Sequence, residues 1–141
     1  MTSEYMLRSF LGFAHSGWRW LVLITAAAAL LWAVLRVLGR ADSPRLTRLS
    51  LLAFTISMDV QVLLGILHFI ERATQNGLYD SLWIHFVVGI VALGVLHGLT
   101  ARARRQQGVA QARTHLIAVV ASFGIVFLGV AVLVGGLPRW F

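Results

Sequence analysis

The sequence contains no cysteine and few charged side chains. Without cysteine the chain cannot form a disulfide, a thiolate metal site or a covalently attached c-type haem. Charged residues make up 12% of its 141 residues and hydrophobic residues 59%, whereas soluble domains carry about 25% charged residues. This composition argues against a soluble domain and indicates a protein that lies in lipid.

The apolar residues fall into four blocks of about 20 residues, the length that crosses a ~30 Å hydrocarbon core as a helix. The blocks run from about Gly17 to Val37, Leu49 to Ile70, Leu82 to Ala101 and Leu116 to Leu137. The connections between them are short, and short connections join antiparallel neighbours. The sequence therefore predicts one all-α membrane domain over residues 1–141, an up-down-up-down bundle of four transmembrane helices. No cleaved signal peptide is expected, because the first block is longer than a signal h-region of about 7–15 residues.

The basic residues predict the orientation of this bundle. The net charge is +7, and all the basic residues are arginine. Most of them lie around the first and third connections: Arg36, Arg40, Arg45, Arg48, Arg102, Arg104, Arg105 and Arg113. Because cytoplasmic loops are enriched in basic residues, both termini are predicted on the periplasmic side of a bacterial inner membrane. Contact with anionic lipid accounts for the arginine patches, so the bilayer is an expected partner and nucleic acid is not.

Six ionisable residues lie in or beside the predicted spans, where each costs roughly 2.5–3.5 kcal/mol and usually has a partner or a function. They are His15, His68, His85, His97, His115 and Asp59. In an up-down bundle, the first three should gather at a similar depth near the outer surface. His97 lies near the inner end of helix 3, His115 opens helix 4 on the inner side, and Asp59 lies near the bilayer midplane.

The outer histidines predict a site for haem. Axial ligation needs two neutral imidazoles at one depth, facing each other across a gap, and diagonal helices provide such a gap. Helices 1 and 3 are diagonal in the simplest arrangement, so His15 and His85 are the expected ligands of a haem iron. His68 with His85 is the second choice, and His97 with His115 is a weaker pair on the inner side.

Arg19 lies one turn beyond His15 on the same helix face. A buried arginine needs an anionic partner, which haem propionates, a lipid phosphate or Glu71 would supply. The alternative is an interfacial arginine that extends to the lipid headgroups.

Helix 2 carries a polar stripe that is predicted to face the bundle interior: Ser57, Gln61, Gly65 and His68. Asp59 lies about 200° around the helix from Gln61. It has two interpretations, a proton relay or a structural hydrogen bond with an arginine or histidine of another helix or subunit.

Small residues on helix 3 favour close helix packing, and Gly94 and Gly98 have GxxxG spacing. Packing within the bundle is the expected use of these glycines. Close approach to a flat ligand and docking on partner subunits are the alternatives.

The run His15-Ser16-Gly17-Trp18-Arg19-Trp20-Leu21-Val22-Leu23 resembles the HSxxRWxVL start of a family of small bacterial four-helix membrane proteins, often described as cytochrome b-like. The resemblance continues through Gln61-Val62-Leu63-Leu64-Gly65, His85, His97 and Pro138-Arg139-Trp140. It implies a haem b-containing electron carrier, and His15, His85 and His97 match the family's histidines. The family commonly has a histidine two positions before the glutamine of helix 2, where this chain has Asp59. Either that position is not a ligand, or this chain has lost a haem.

Two functions of different classes follow from these observations. The first is a b-type cytochrome-like protein that passes electrons between a quinol or another redox partner and a larger complex. The second is a haem-free accessory subunit of a respiratory or photosynthetic membrane complex, with other membrane subunits as partners. A proton conduit centred on Asp59 is less favoured, because four helices without an inverted repeat make a poor transporter. The sequence shows no nucleophile–base pair, phosphate loop or catalytic carboxylate pair, so no catalysis by the chain alone is expected.

Overall fold

The computed structural model describes residues 3–41, 43–76 and 80–133, and every regular element in these ranges is an α-helix. The helices are α1 (Ser3–Val37), α2 (Pro44–Asn76), α3 (Asp80–Ala103) and α4 (Gly108–Leu133). Each contains a segment long and apolar enough to cross a membrane: Phe10–Val37, Pro44–Thr74, Leu82–Ala103 and Gly108–Gly129. The predicted all-α fold of four membrane-spanning helices is confirmed.

Helices that follow one another along the chain pack side by side. α1 packs against α2 and α4, and α3 also packs against α2 and α4. α2 and α4 make little contact, and α1 and α3 form the second diagonal of the bundle. The helices that carry His15 and His85 therefore have the diagonal relation that the sequence predicted.

All four helices begin earlier than the apolar blocks, because helix capping and not hydropathy sets where a helix begins. At the start of α2, Pro44 occupies the first helical position, and Oγ of Ser43 accepts a hydrogen bond from the backbone N–H of Leu46 at 3.4 Å. α1 begins at Ser3 and α4 begins at Gly108.

These early starts correct two placements. His15 lies well inside α1 and does not precede it. His115 does not open α4 but lies about two turns inside it. The predicted end of the fourth span at Leu137 lies outside the described residues.

The first connection ends α1 with a Schellman motif. Gly39 has a φ of 66°, the backbone N–H of Arg40 donates to the Leu35 carbonyl at 2.8 Å, and that of Gly39 donates to the Arg36 carbonyl at 3.2 Å. The Arg36 side chain then donates from Nη1 to Oε1 of Gln111 at 3.1 Å, which links α1 to α4. Both arginine-rich connections therefore lie at one end of the bundle.

Small side chains fill much of the bundle core. Phe54 and Leu96 are large side chains that are fully buried there. Around them lie buried alanines of three helices: Ala26, Ala29, Ala33, Ala92 and Ala118. Small residues let helix backbones approach closely without a hydrophobic driving force, so these alanines allow close packing of α1, α3 and α4.

Two glycines of α3 do not take part in that packing. Gly94 and Gly98 are exposed, and a Cβ added at either position would have no other atom within 4 Å. The expected use of this GxxxG pair within the bundle is therefore wrong, and the pair faces outward.

Candidate functional site

Three histidines from three helices meet at the end of the bundle opposite the arginine-rich connections. His15 of α1, His68 of α2 and His85 of α3 line one cavity of about 350 Å³. Small-molecule sites enclose about 300–1,000 Å³, so this volume lies at the lower end of that range. Most of the wall is apolar, and Arg19 and Gln61 are polar members of it.

The imidazole rings have the spacing that two axial ligands need. The ring centroids of His15 and His85 are 6.0 Å apart and the ring planes are inclined by 86°. The His15 and His68 centroids are 6.3 Å apart, with an interplanar angle of 23°. Two imidazoles on opposite sides of one metal ion have centroids roughly 6 Å apart when each metal–nitrogen distance is about 2.0–2.1 Å. Both pairs satisfy this spacing.

Helix packing distinguishes the two pairs. A Cβ at position 65 would stand 3.1 Å from Cε1 of His15, and a Cβ at position 12 would stand 3.6 Å from Cε1 of His68. Each ring therefore packs against the backbone of the other helix, where α1 and α2 are in close contact. His15 and His85 belong to diagonal helices and face the cavity, so they are the better pair.

The Gln61 side chain contacts His15 through its amide. Its Nε2 lies 3.2 Å from Nδ1 and 3.3 Å from Nε2 of the His15 ring, and it donates to the His15 backbone carbonyl at 3.1 Å. The amide oxygen Oε1 is buried, and no hydrogen-bond partner for it exists among the described residues.

His68 has a similar unsatisfied atom. Its Nδ1 is buried without a hydrogen bond in the described part of the chain, although a Glu71 carboxylate oxygen lies 3.4 Å away. Buried polar atoms are almost always hydrogen-bonded. Side-chain rotation at Gln61 or His68 would be needed to turn such an atom towards a ligand in the cavity.

Arg19 brings a positive charge to the cavity wall. Its Cζ lies 5.6 Å from the centroid of the Trp20 ring. Among the side chains that the structure describes, no carboxylate lies within ion-pair distance of Arg19, and the expected alternative partner, Glu71, lies beside His68 instead. The Arg19 charge is thus available to an anionic group in the cavity or to a lipid headgroup.

The polar stripe of α2 faces inward as predicted. Ser57 is buried, and its carbonyl accepts a hydrogen bond from Nε1 of Trp18 at 3.1 Å. Trp18 consequently packs against the core, whereas Trp20 and Trp83 are exposed.

His97 and Asp59 do not line the cavity. Nε2 of His97 lies 2.7 Å from Oδ1 of Asp59, and both side chains are about half exposed on the surface of α2 and α3. The structural interpretation of Asp59, a hydrogen bond with a histidine of another helix, describes this contact. His115 is buried, so it does not form a facing pair with the exposed His97.

An aromatic cluster that the sequence pattern did not predict lies beside the site. Phe69 and Phe86 stack with centroids 4.6 Å apart, and Trp83 lies 5.1 Å from Phe69. Both phenylalanines line the cavity, and each directly follows a cavity histidine in the sequence. This adjacency in the sequence could have indicated that both phenylalanines lie near the cavity.

The described histidines and carboxylates include no group of three or more placed to hold a metal ion. The three cavity histidines therefore do not form a preassembled site for a free metal ion. Ligation of a haem iron by His15 and His85 needs only two protein ligands, and it stays a prediction.

Comparisons of the chain with protein-family models, with curated proteins and with solved structures find no match. The geometry of the cavity and the chemistry of the residues that line it therefore provide the basis for a function.

Proposed function

We propose that the chain is a b-type cytochrome-like membrane protein, which transfers electrons as a subunit of, or partner to, a larger redox complex. The observation that carries this proposal is the pairing of His15 with His85. Their rings belong to diagonal helices, lie 6.0 Å apart and line one apolar cavity. Haem b would supply the one-electron chemistry, and the protein would supply ligation, orientation and burial.

The residues around the two imidazoles suit that group. Phe69 and Phe86 present aromatic surface to the cavity, which would cover the macrocycle and exclude water. Arg19 on the same wall would pair with its carboxylates, because a charge-assisted hydrogen bond to a carboxylate is about twice as strong as a neutral one.

Gln61 and His68 act as positioning residues in this proposal. The Gln61 amide nitrogen lies against both nitrogens of the His15 ring. In the haem-bound protein this amide would have to turn, so that its Oε1 accepts the N–H of the ring nitrogen that does not bind iron, as partners of metal ligands commonly do. His68 lies against Gly12 and beside Glu71, so it would border the cavity without ligating the iron.

The charge distribution supports a position for the site in the membrane. The arginine-rich connections lie at the opposite end of the bundle from the cavity. If that end is cytoplasmic, the haem lies near the periplasmic face of a bacterial inner membrane. A quinol in the outer leaflet or a periplasmic redox protein would then be the electron donor.

The test is optical spectroscopy of the purified protein. Reduction with dithionite should give the sharp visible bands of low-spin haem, and His15→Ala and His85→Ala should each abolish them. His97→Ala is the matched control, because His97 lies outside the cavity, and it should leave the bands unchanged. Loss of the bands in His97→Ala, or their persistence in His85→Ala, would contradict the ligand assignment.

A second candidate function is a haem-free accessory subunit of a membrane complex. The Gln61 amide favours it, because its contacts with the His15 ring and carbonyl would hold that histidine in place without any metal. A colourless preparation that remains folded and co-purifies with a respiratory or photosynthetic complex would favour this role.

A further inference from the structure

We propose that two copies of this chain form a dimer in the membrane through the exposed face of α2 and α3, centred on the pair Asp59–His97. This proposal is independent of haem binding. Its starting observation is that the two polar side chains face outward at membrane depth, where lipid is the alternative neighbour.

The depth of the pair makes its exposure costly. Asp59 lies at the middle of the span Pro44–Thr74, and its side chain and that of His97 are 44% and 51% exposed. Ionisable residues in membrane spans normally face a protein interior or a water-filled cavity. Along α2 the neighbours on the same face are exposed and apolar: Leu52, Ile56 and Leu63. This face therefore lies against lipid or against another membrane helix.

The pair retains hydrogen-bonding capacity that a second copy would satisfy. The contact of Nε2 of His97 with Oδ1 of Asp59 leaves Nδ1 and Oδ2 without a partner among the residues the structure describes. When the pair as a whole is neutral, one of these two atoms carries a proton and can donate a hydrogen bond, and the other can accept one. In a dimer with two-fold symmetry, the donor of each copy can therefore bond to the acceptor of the other copy, as an isologous interface requires.

The backbone beside the pair allows a second helix to approach. Gly94 and Gly98 of α3 lie next to His97 on the exposed face, and a Cβ at either position would meet no atom of this chain within 4 Å. Glycines in GxxxG spacing let helices approach closely enough for side chains to hydrogen-bond between them. The glycines thus allow the α3 helices of two copies to approach each other closely, and Asp59 and His97 of each copy can then hydrogen-bond to those of the other.

The dimer can be measured in vesicles of phosphatidylcholine and phosphatidylglycerol by energy transfer between labelled chains as the protein is diluted in lipid. The chain has no cysteine, so one cysteine at the exposed Gln107 carries the dye. Gly94→Leu should weaken dimerisation by about tenfold or more. Gly124→Leu is the matched control, because a Cβ at Gly124 also meets nothing within 4 Å but lies on α4, and it should leave the dimer unchanged.

Two further variants keep the test decisive if Gly94→Leu fails to fold. Asp59→Leu combined with His97→Leu makes the face apolar and should shift the protein towards monomer. Ile90→Cys, on the exposed face of α3, should form a disulfide-linked dimer on oxidation, whereas Val120→Cys on α4 should not. Three results would overturn the proposal. The protein could be monomeric at every lipid dilution, Gly94→Leu and Gly124→Leu could affect dimerisation equally, or this face could be covered only by a different membrane protein.

Discussion

Gly65 of α2 lies directly against the imidazole of His15, so that a Cβ at this position would stand 3.1 Å from Cε1 of the ring. The absence of a side chain at position 65 is what allows His15 to lie between α1 and α2 while it lines the cavity. Any larger residue must push the ring towards the cavity or push the two helices apart.

Gly65→Ala should be less stable than Gly12→Ala, because the His15 ring must shift by a few tenths of an ångström to admit the methyl group, and over-packing costs up to about 1–3 kcal/mol. Gly12→Ala is the matched control, since its Cβ would stand at an ordinary 3.6 Å from His68, and alanine is favoured over glycine in a helix by roughly 0.5–1 kcal/mol. Thermal unfolding in detergent, followed by circular dichroism, gives the order of stability. Equal melting temperatures for the two variants would show that the His15 ring moves freely.

Gly129→Ala should destabilise the contact between α3 and α4. A Cβ at position 129 would overlap the Val88 side chain, and over-packing of this kind costs about 1–3 kcal/mol. Val88→Ala should rescue Gly129→Ala in a double-mutant cycle, because it removes the overlapping methyl groups. Gly124→Ala, at a position where a Cβ meets no other side chain, should not lower the free energy of unfolding. Additive effects of the two substitutions would contradict the close approach.

Trp18→Phe should weaken the packing of α1 against α2. The substitution keeps most of the ring but removes the Nε1–H that donates to the Ser57 carbonyl at 3.1 Å. Hydrogen bonds between membrane helices contribute about 0.6 kcal/mol on average, so a small loss of unfolding free energy is expected. Trp32→Phe changes a partly buried indole on the same helix that makes no hydrogen bond among the described residues. It is the control and should have a smaller effect in the same unfolding assay.

Arg19→Gln tests the proposed anionic ligand in the cavity. Removing a charged hydrogen-bond donor should weaken binding of added haemin to the haem-free protein by about tenfold, measured by absorbance titration in detergent. Arg19→Lys keeps the positive charge and should therefore lose less affinity for haemin than Arg19→Gln. Arg113→Gln removes an exposed arginine at the opposite end of the bundle from the cavity and should not change the affinity. An unchanged affinity in Arg19→Gln would assign this arginine to the lipid headgroups.

Asp59→Asn tests the proton-relay interpretation of the pair with His97. A carboxyl group 2.7 Å from an imidazole can exchange a proton with it, and infrared difference spectra on a pH change should then contain a carboxyl band. That band should disappear in Asp59→Asn and persist in Glu71→Gln. The absence of any carboxyl band that depends on Asp59 would leave the pair with a structural role only.

The sequence alone determined the fold class and the depth of the candidate site. Four apolar blocks of sufficient length and three short connections allow essentially one architecture, and chain order then places His15, His68 and His85 near the same end of the bundle. The inward-facing polar stripe of α2 was also predictable, because residues with helical spacing share a face.

Only the tertiary structure decided which side chains meet. Helix rotation is set by contacts between helices, such as Gly65 against His15 and Gly129 against Val88, and these depend on residues far apart in the chain. For the same reason hydropathy could not predict that Asp59 contacts His97 or that Gly94 faces outward. Hydrophobic length selects helices that cross the membrane, but lipid is nearly as apolar as a helix surface, so close packing and polar contacts determine how those helices face one another.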